Sequence, residues 1–123
     1  MSLHIVVIDD CPVTLEMIKD YLAAAGFRVS TCDCAVYSNH LIYAKRPPDL
    51  ILLDVMLPLM SGTKKAKALK SRERSRDIPI LLMSSKEEVE LRTLTAMSGA
   101  DGYLPKPFSA ASLVRTVRSL LPA

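Results

Sequence analysis

At 123 residues, 50% hydrophobic and 24% charged, the chain has the balance of an ordinary globule, long enough for a core and too short for two, so one domain is expected over residues 1–123. No apolar run approaches the roughly 20 residues of a membrane-spanning helix, and Met1 to Asp10 lacks the layout of a signal peptide. The expected compartment is therefore the cytoplasm, with no membrane partner. Cys11, Cys32 and Cys34 are an odd number without framework spacing, in keeping with a reducing environment, and a net charge of +3 is too modest to name a partner.

Leu3 to Ile8 is a β-branched run that ends on two acids, Asp9 and Asp10. His4, near its start, reads as a solvent-exposed strand-end residue. Cys11-Pro12 follows, with proline suited to a first helical turn, and Val13, Leu15, Ile18 and Leu22 recur at helical spacing until Gly26 closes the helix. Phe27 to Cys32 reads as a second strand with Asp33-Cys34 as its turn. Cys32-x-Cys34 has no second Cys/His pair to complete a metal site and is taken as small residues beside a strand. Val36 to Arg46 is expected to be a helix carrying Leu41, Ile42 and Ala44, although Tyr37, Ser38 and Asn39 are weak helix formers; His40 falls on its surface, and Pro47-Pro48 ends it.

Asp49-Leu-Ile-Leu-Leu-Asp54 is a continuous apolar run ending on a carboxylate, as expected of a central strand buried on both faces, and Pro58 and Gly62 mark the turn beyond it. From Thr63 to Arg76 a third helix and loop have only Ala66 and Leu69 as a clear core face. Seven of the residues from Lys64 to Arg76 are Lys or Arg against one acid, Glu73. The simplest expectation for this run is a solvated face; the sharper one is a docking patch for an acidic partner or a nucleic-acid backbone, without aromatic residues in the run for base stacking. Ile78 to Ser84 is a fourth apolar strand ending on a hydroxyl. Ser85-Lys-Glu-Glu supplies a cap and acidic first turn for a fourth helix through Leu91, Leu94 and Met97 to Gly99, whose ragged apolar stripe suggests loose packing. Gly102 to Phe108 is a short fifth strand and turn, placed at a sheet edge by Pro105, and Ser109 caps a last helix with Leu113, Val117, Leu120 and Leu121 on one side.

Five strand–helix units in alternation imply an α/β fold, a parallel sheet with helices on both faces. In such a sheet the C-terminal strand ends lie along one edge, so Asp9, Asp10, Asp54, Ser84 and Lys106 converge there. Taken singly each is commonplace; together they form a crevice with three carboxylates, a hydroxyl and an ammonium. Carboxylates so crowded call for a hard divalent cation with oxygen ligands. Cation, ammonium and hydroxyl would together bind a phosphoryl group, and an ionised carboxylate among them can accept it as an acyl phosphate.

The segments Val-Ile-Asp-Asp10, Leu-Leu-Asp54-Val-Met-Leu-Pro-x-Met-x-Gly62, Leu-Met-Ser84 and Tyr103-Leu-Pro-Lys106-Pro-Phe resemble the receiver domain of two-component response regulators, from about Leu3 to Leu121. The resemblance implies a flavodoxin-like (βα)5 doubly wound sheet with strand order 2-1-3-4-5. It implies Asp54 as phosphoacceptor, Mg²⁺ (or Mn²⁺) held by Asp10, by Asp9 mainly through water, by Asp54 and by the Met56 carbonyl, and Lys106 paired with Asp54 ahead of a cis bond to Pro107. Ser84 becomes the switch hydroxyl and Tyr103 the aromatic that turns inward with it, reshaping the face of fourth helix, fifth strand and fifth helix. Implied partners are a histidine kinase or histidine phosphotransfer protein, an unknown output partner and a second copy through that face. Nucleic acid enters only through an output domain absent from this chain or, second, the run Lys64 to Arg76. Cys11, Ser85 and Thr63 depart from the family pattern without removing a reactive group. A degenerate receiver that binds without phosphorylation, and a phosphatase or phosphotransferase with an Asp nucleophile, are the competing readings. The second lacks an acid two residues after Asp54, where Met56 stands, and has no room for a cap domain.

Overall fold

The computed structural model describes residues 2–122. Its elements are β1 (His4–Ile8), α1 (Pro12–Ala24), β2 (Arg28–Cys32), α2 (Asn39–Ile42), β3 (Leu50–Asp54), α3 (Gly62–Lys70), β4 (Ile80–Ser84), α4 (Glu88–Ser98), β5 (Gly102–Pro105) and α5 (Ala110–Leu120). All strand pairs are parallel, and the sheet runs β2-β1-β3-β4-β5. Strand order reverses at β1, so the crevice beyond the C-terminal ends of β1 and β3 is the topological switch point of the sheet.

Side chains alternate across the strands and divide the interior into two layers. Val6, Ile8, Ile51, Leu53, Ile80 and Leu82 face Ile42 of α2, Ala66 and Leu69 of α3 and Leu91 of α4. Ile5, Val7, Leu50, Leu52, Leu81 and Met83 face Ile18 and Leu22 of α1 and Leu113 and Val117 of α5. β3 has neighbours on both sides and helices on both faces, which is why its five residues are all buried and its sequence does not alternate. β5 is an edge strand, as Pro105 requires. Among the described residues, no helix is long and apolar enough to cross a membrane.

Several local expectations are corrected. The helix expected from Val36 to Arg46 is one turn, Asn39–Ile42. Ser38 Oγ donates to the Ala35 carbonyl at 2.7 Å, a local side-chain bond that competes with helix propagation, and Val36 and Tyr37 stay exposed. α3 ends at Lys70, with residues 71–77 in turns. Ser85 does not cap α4: Glu87 holds that position without a side-chain cap bond, and the stabilising feature is the acidic first turn of Glu88 and Glu90. Val13 and Met97 are exposed rather than core. His4 is half-buried, with Nε2 2.7 Å from Ser30 Oγ, and burial followed by the Arg28 charge holds its pKa down. The cap at Ser109 is as expected, with Ser109 and Ser112 forming a reciprocal capping box.

The turn after β3 is closed at its base by Gly62, whose N–H donates to the Val55 carbonyl at 2.9 Å. A Cβ at Gly62 would lie 2.0 Å from the Asp54 carbonyl oxygen and 2.9 Å from the Val55 Cα, both backbone atoms that cannot step aside. Gly62→Ala should therefore cost about 3 kcal/mol or more, at or beyond the usual range for overpacking. A urea midpoint unchanged from wild type would show that the backbones can separate.

Candidate functional site

The sequence places acids immediately after β1 and at the last residue of β3, and the parallel pairing of these strands makes them neighbours. Asp9 is fully buried, Asp54 is 4% exposed and Asp10 is open to solvent. One ligand oxygen from each of the three lies within 4.8 Å of the others. Backbone amides orient two of them: Cys11 N–H donates to Asp9 Oδ1 at 2.9 Å and Met56 N–H to Asp54 Oδ1 at 3.3 Å.

Lys106 comes in from β5. Its N–H donates to the Ser84 carbonyl at 2.8 Å, extending the β4–β5 ladder, and its bond to Pro107 is cis, as the resemblance implied. Lys106 Nζ donates to Asp9 Oδ2 at 2.8 Å and stands 3.5 Å from Asp54 Oδ2. The expected pairing with Asp54 is thus present, and a shorter bond to Asp9 stands beside it. Burial opposes the Lys106 charge, but the bond to Asp9 and the field of Asp54 outweigh it and raise the pKa. Burial and then the Asp9 charge push the Asp54 carboxyl up from 3.8 to about 6, against the pull of Lys106 and the Met56 N–H.

Three carboxylates facing one ammonium leave an excess of negative charge at a poorly hydrated strand edge. An all-oxygen donor set with one solvent-facing carboxylate fits a hard divalent cation that keeps part of its water shell. Asp9, Asp10 and Asp54 could hold it.

Ser84, 1% exposed, ends β4, and its Oγ accepts from the Lys86 N–H at 3.1 Å. Tyr103 is not brought to the acid cluster. It packs half-buried against the layer under α4, and its hydroxyl donates to Glu88 Oε1 at 3.0 Å, beside Arg92. Met56 is exposed. Sequence reasoning missed the Cys11 amide clamp, which depends on backbone conformation, and the Glu88 partner of Tyr103. Glu88 was visible only as a first-turn acid.

The basic run is not a uniformly solvated face. Lys65 is buried, with Nζ donating to Asn39 Oδ1 at 2.5 Å; Lys70 Nζ donates to Asp101 Oδ2 at 2.7 Å and the Ile78 carbonyl at 2.8 Å. The Arg72 and Arg74 guanidiniums lie 5.9 and 5.4 Å from the centroid of the Tyr43 ring, an aromatic contributed from outside the run.

A family model described as "Response regulator receiver domain" matches residues 5–118, and the chain belongs to that family. It is 35% identical to the response regulator MprA of Mycobacterium ulcerans over 98% of this chain and 51% of that protein. It is 38% identical to the phosphate regulon transcriptional regulatory protein PhoB of Pseudomonas aeruginosa over 95% of this chain and 51% of the relative. The chain therefore spans about half the length of these curated relatives. Among solved structures it resembles the chemotaxis response regulator CheY4 of Vibrio cholerae, with TM-score 0.90 and 26% identity over 98% of this chain and all of that one. It also resembles the receiver domain of sensor histidine kinase PA1611 from Pseudomonas aeruginosa, which has a magnesium ion coordinated in its active-site cleft, with TM-score 0.87 and 26% identity over 98% of both chains. The fold is thus that of CheY-like receivers, with the strand order 2-1-3-4-5 expected from the resemblance.

The raised carboxyl of Asp54 has a consequence for stability. A group whose native pKa lies above its unfolded value destabilises the fold once ionised, fully above about pH 6 and not at all below about 3.8. In metal-free protein Asp54→Asn should raise unfolding free energy at pH 7.5 by about 3 kcal/mol, the rise from 3.8 to about 6 counted at about 1.4 kcal/mol per pKa unit, and the gain should vanish below pH 4. Urea denaturation across that range in a chelator measures it; a variant less stable than wild type at pH 7.5 would show that the pairing of Asp54 with Lys106 dominates.

Proposed function

We propose that residues 1–123 act as one receiver unit, in the cytoplasm, accepting a phosphoryl group on Asp54 from a histidine kinase or histidine phosphotransfer protein. The observation that carries this is the meeting of Asp9, Asp10, Asp54 and Lys106 at the switch point of the sheet. Asp10, Asp9, Asp54 and the Met56 carbonyl are the groups assigned to Mg²⁺ (or Mn²⁺). The ion supplies charge neutralisation for the carboxylates and the incoming phosphoryl oxygens.

An Asp54 carboxylate oxygen forms the new bond to phosphorus as the donor's phosphorus–nitrogen bond breaks, its electron pair passing to the imidazole. Lys106, within 3.5 Å of Asp54, moves its ammonium from Asp9 onto a phosphoryl oxygen. A cavity of about 360 Å³ lined by Thr14, Met17, Ser85, Lys106, Pro107 and Phe108 opens beside the lysine, room for a side chain of the donor protein as it brings its phosphoryl group to Asp54. The domain catalyses its own phosphorylation and dephosphorylation and turns over no other substrate; Met56, exposed and apolar, offers no second acid for a phosphatase cycle.

Phosphorylation places charge and acceptor oxygens at one point. Ser84 gives up the Lys86 amide and donates to a phosphoryl oxygen, which frees space beside β4. Tyr103 then leaves Glu88 and turns inward, changing the face made by α4, β5 and α5, through which an output partner or a second copy is engaged. A difference of a few kcal/mol between the two states is enough to exchange their populations.

Incubation with acetyl phosphate and Mg²⁺ should add one phosphoryl mass by intact mass spectrometry, with none in a chelator or in Asp54→Asn. Addition persisting in Asp54→Asn, or absent from wild type, rules the site out and leaves a degenerate receiver. For the switch, the Tyr103 ring resonances should shift on phosphorylation in wild type and hold still in Ser84→Ala. Equal shifts in both proteins would uncouple Tyr103 from the hydroxyl.

A further inference from the structure

We propose that the groove between α3 and α4 is a docking site for an acidic amphipathic helix of a partner protein, anchored by apolar side chains between the two helices and by carboxylates on Lys64 and Lys67. The proposal does not rest on the phosphoacceptor role of Asp54, and the groove shares no lining residue with the acid cluster.

Of the seven cations from Lys64 to Arg76, four are committed within the fold: Lys65 to Asn39, Lys70 to Asp101, and Arg72 and Arg74 to the Tyr43 ring. Lys64 and Lys67 are exposed, and among the described residues their ammonium groups make no ion pair or hydrogen bond. Lying three residues apart on α3, they share one face of the helix. Across from them Leu94 and Met97, also three apart, present an apolar row from α4, with Met97 69% exposed. Thr63, Lys64, Lys67, Leu94, Met97 and Ser98 together line a groove of about 220 Å³ without a single acid.

A row of ammonium groups alongside a row of apolar side chains is complementary to a helix with carboxylates on one flank and apolar residues at i, i+3 and i+4 beside them. The groove is smaller than the roughly 300–1,000 Å³ of clefts that enclose drug-sized ligands, so it suits one or two side chains of a larger partner. A nucleic acid is the poorer match: no aromatic residue lines the groove to stack a base, and the apolar row would face phosphates.

The test uses the full chain carrying Asp54→Asn, so that phosphorylation plays no part and loss of acceptor function leaves this result untouched. A displayed library of random 16-residue peptides is selected on it, and the enriched peptides are measured by fluorescence anisotropy. The expected sequences are rich in Asp and Glu with apolar residues three and four apart. Their affinity should fall about tenfold or more in Lys64→Glu/Lys67→Glu, fall several-fold in Met97→Gln, and weaken with added salt. All three substitutions are at exposed positions; glutamate at Lys64, in the first turn of α3, suits the helix dipole and offsets the mild opposition it meets at Lys67, in the last turn, so folding is preserved. Amide shifts of labelled protein should centre on Thr63, Lys67, Leu94 and Met97. The proposal is overturned if no acidic peptide is enriched, or if enriched peptides ignore both substitutions. It is overturned equally if a single-stranded DNA oligonucleotide binds more tightly than any peptide and ignores Met97→Gln, which assigns the face to nucleic acid. Concentration-dependent sedimentation abolished by these substitutions would assign the groove to a second copy and also overturn it.

Discussion

Two carboxylates, Asp9 and Asp54, are held almost out of water with one ammonium between them. Left alone, such a group of charges would separate, hydrate or take up a proton, because desolvation and mutual repulsion act in the same direction. The fold prevents the first two. β1 and β3 are locked in parallel register, each carboxylate is held by a backbone N–H two residues on, and Lys106 is fixed by its amide bond to the Ser84 carbonyl. What remains is a site whose protonation is unsettled near neutral pH and which gains most from a cation or a charge-redistributing ligand.

The scaffold beneath it is unequal in its packing. β3 is apolar and buried over its whole length, whereas α4 buries Leu91, Thr95 and Ser98, two of them polar. Thr95 Oγ1 donates to the Leu91 carbonyl at 2.7 Å and Ser98 Oγ to the Thr95 carbonyl at 3.2 Å, so neither hydroxyl is stranded. These bonds stay within the helix and tie it to nothing else. α4 meets the sheet through buried Leu91 and half-buried Leu94, while carrying Glu88, which holds Tyr103, and Met97, which with Leu94 lines the groove.

Much of this was legible in the residues. Strand ends betray themselves where an apolar run meets Asp10, Asp54 or Ser84, and a parallel sheet turns those endings into neighbours without further information. α2 was read too long because apolar spacing at Leu41, Ile42 and Ala44 carries no record of Ser38 bonding back to Ala35. The basic run was read as largely solvated because its partners are remote in sequence: Asn39 is 26 residues from Lys65, Asp101 31 residues from Lys70, and Tyr43 31 from Arg74. The Lys106–Asp9 bond, 97 residues apart, was equally hidden, although both residues were assigned to one crevice. Side-chain choice among several nearby partners depends on angles and packing that one-dimensional spacing does not hold.

The exposed proline that closes β5 also limits what can pair with the free edge of the sheet. Pro105 has no N–H, so the outer margin of the four-residue β5 lacks a donor at its last position. An incoming strand would find an incomplete ladder there. That edge is accordingly a poor template for edge-to-edge growth into fibrils.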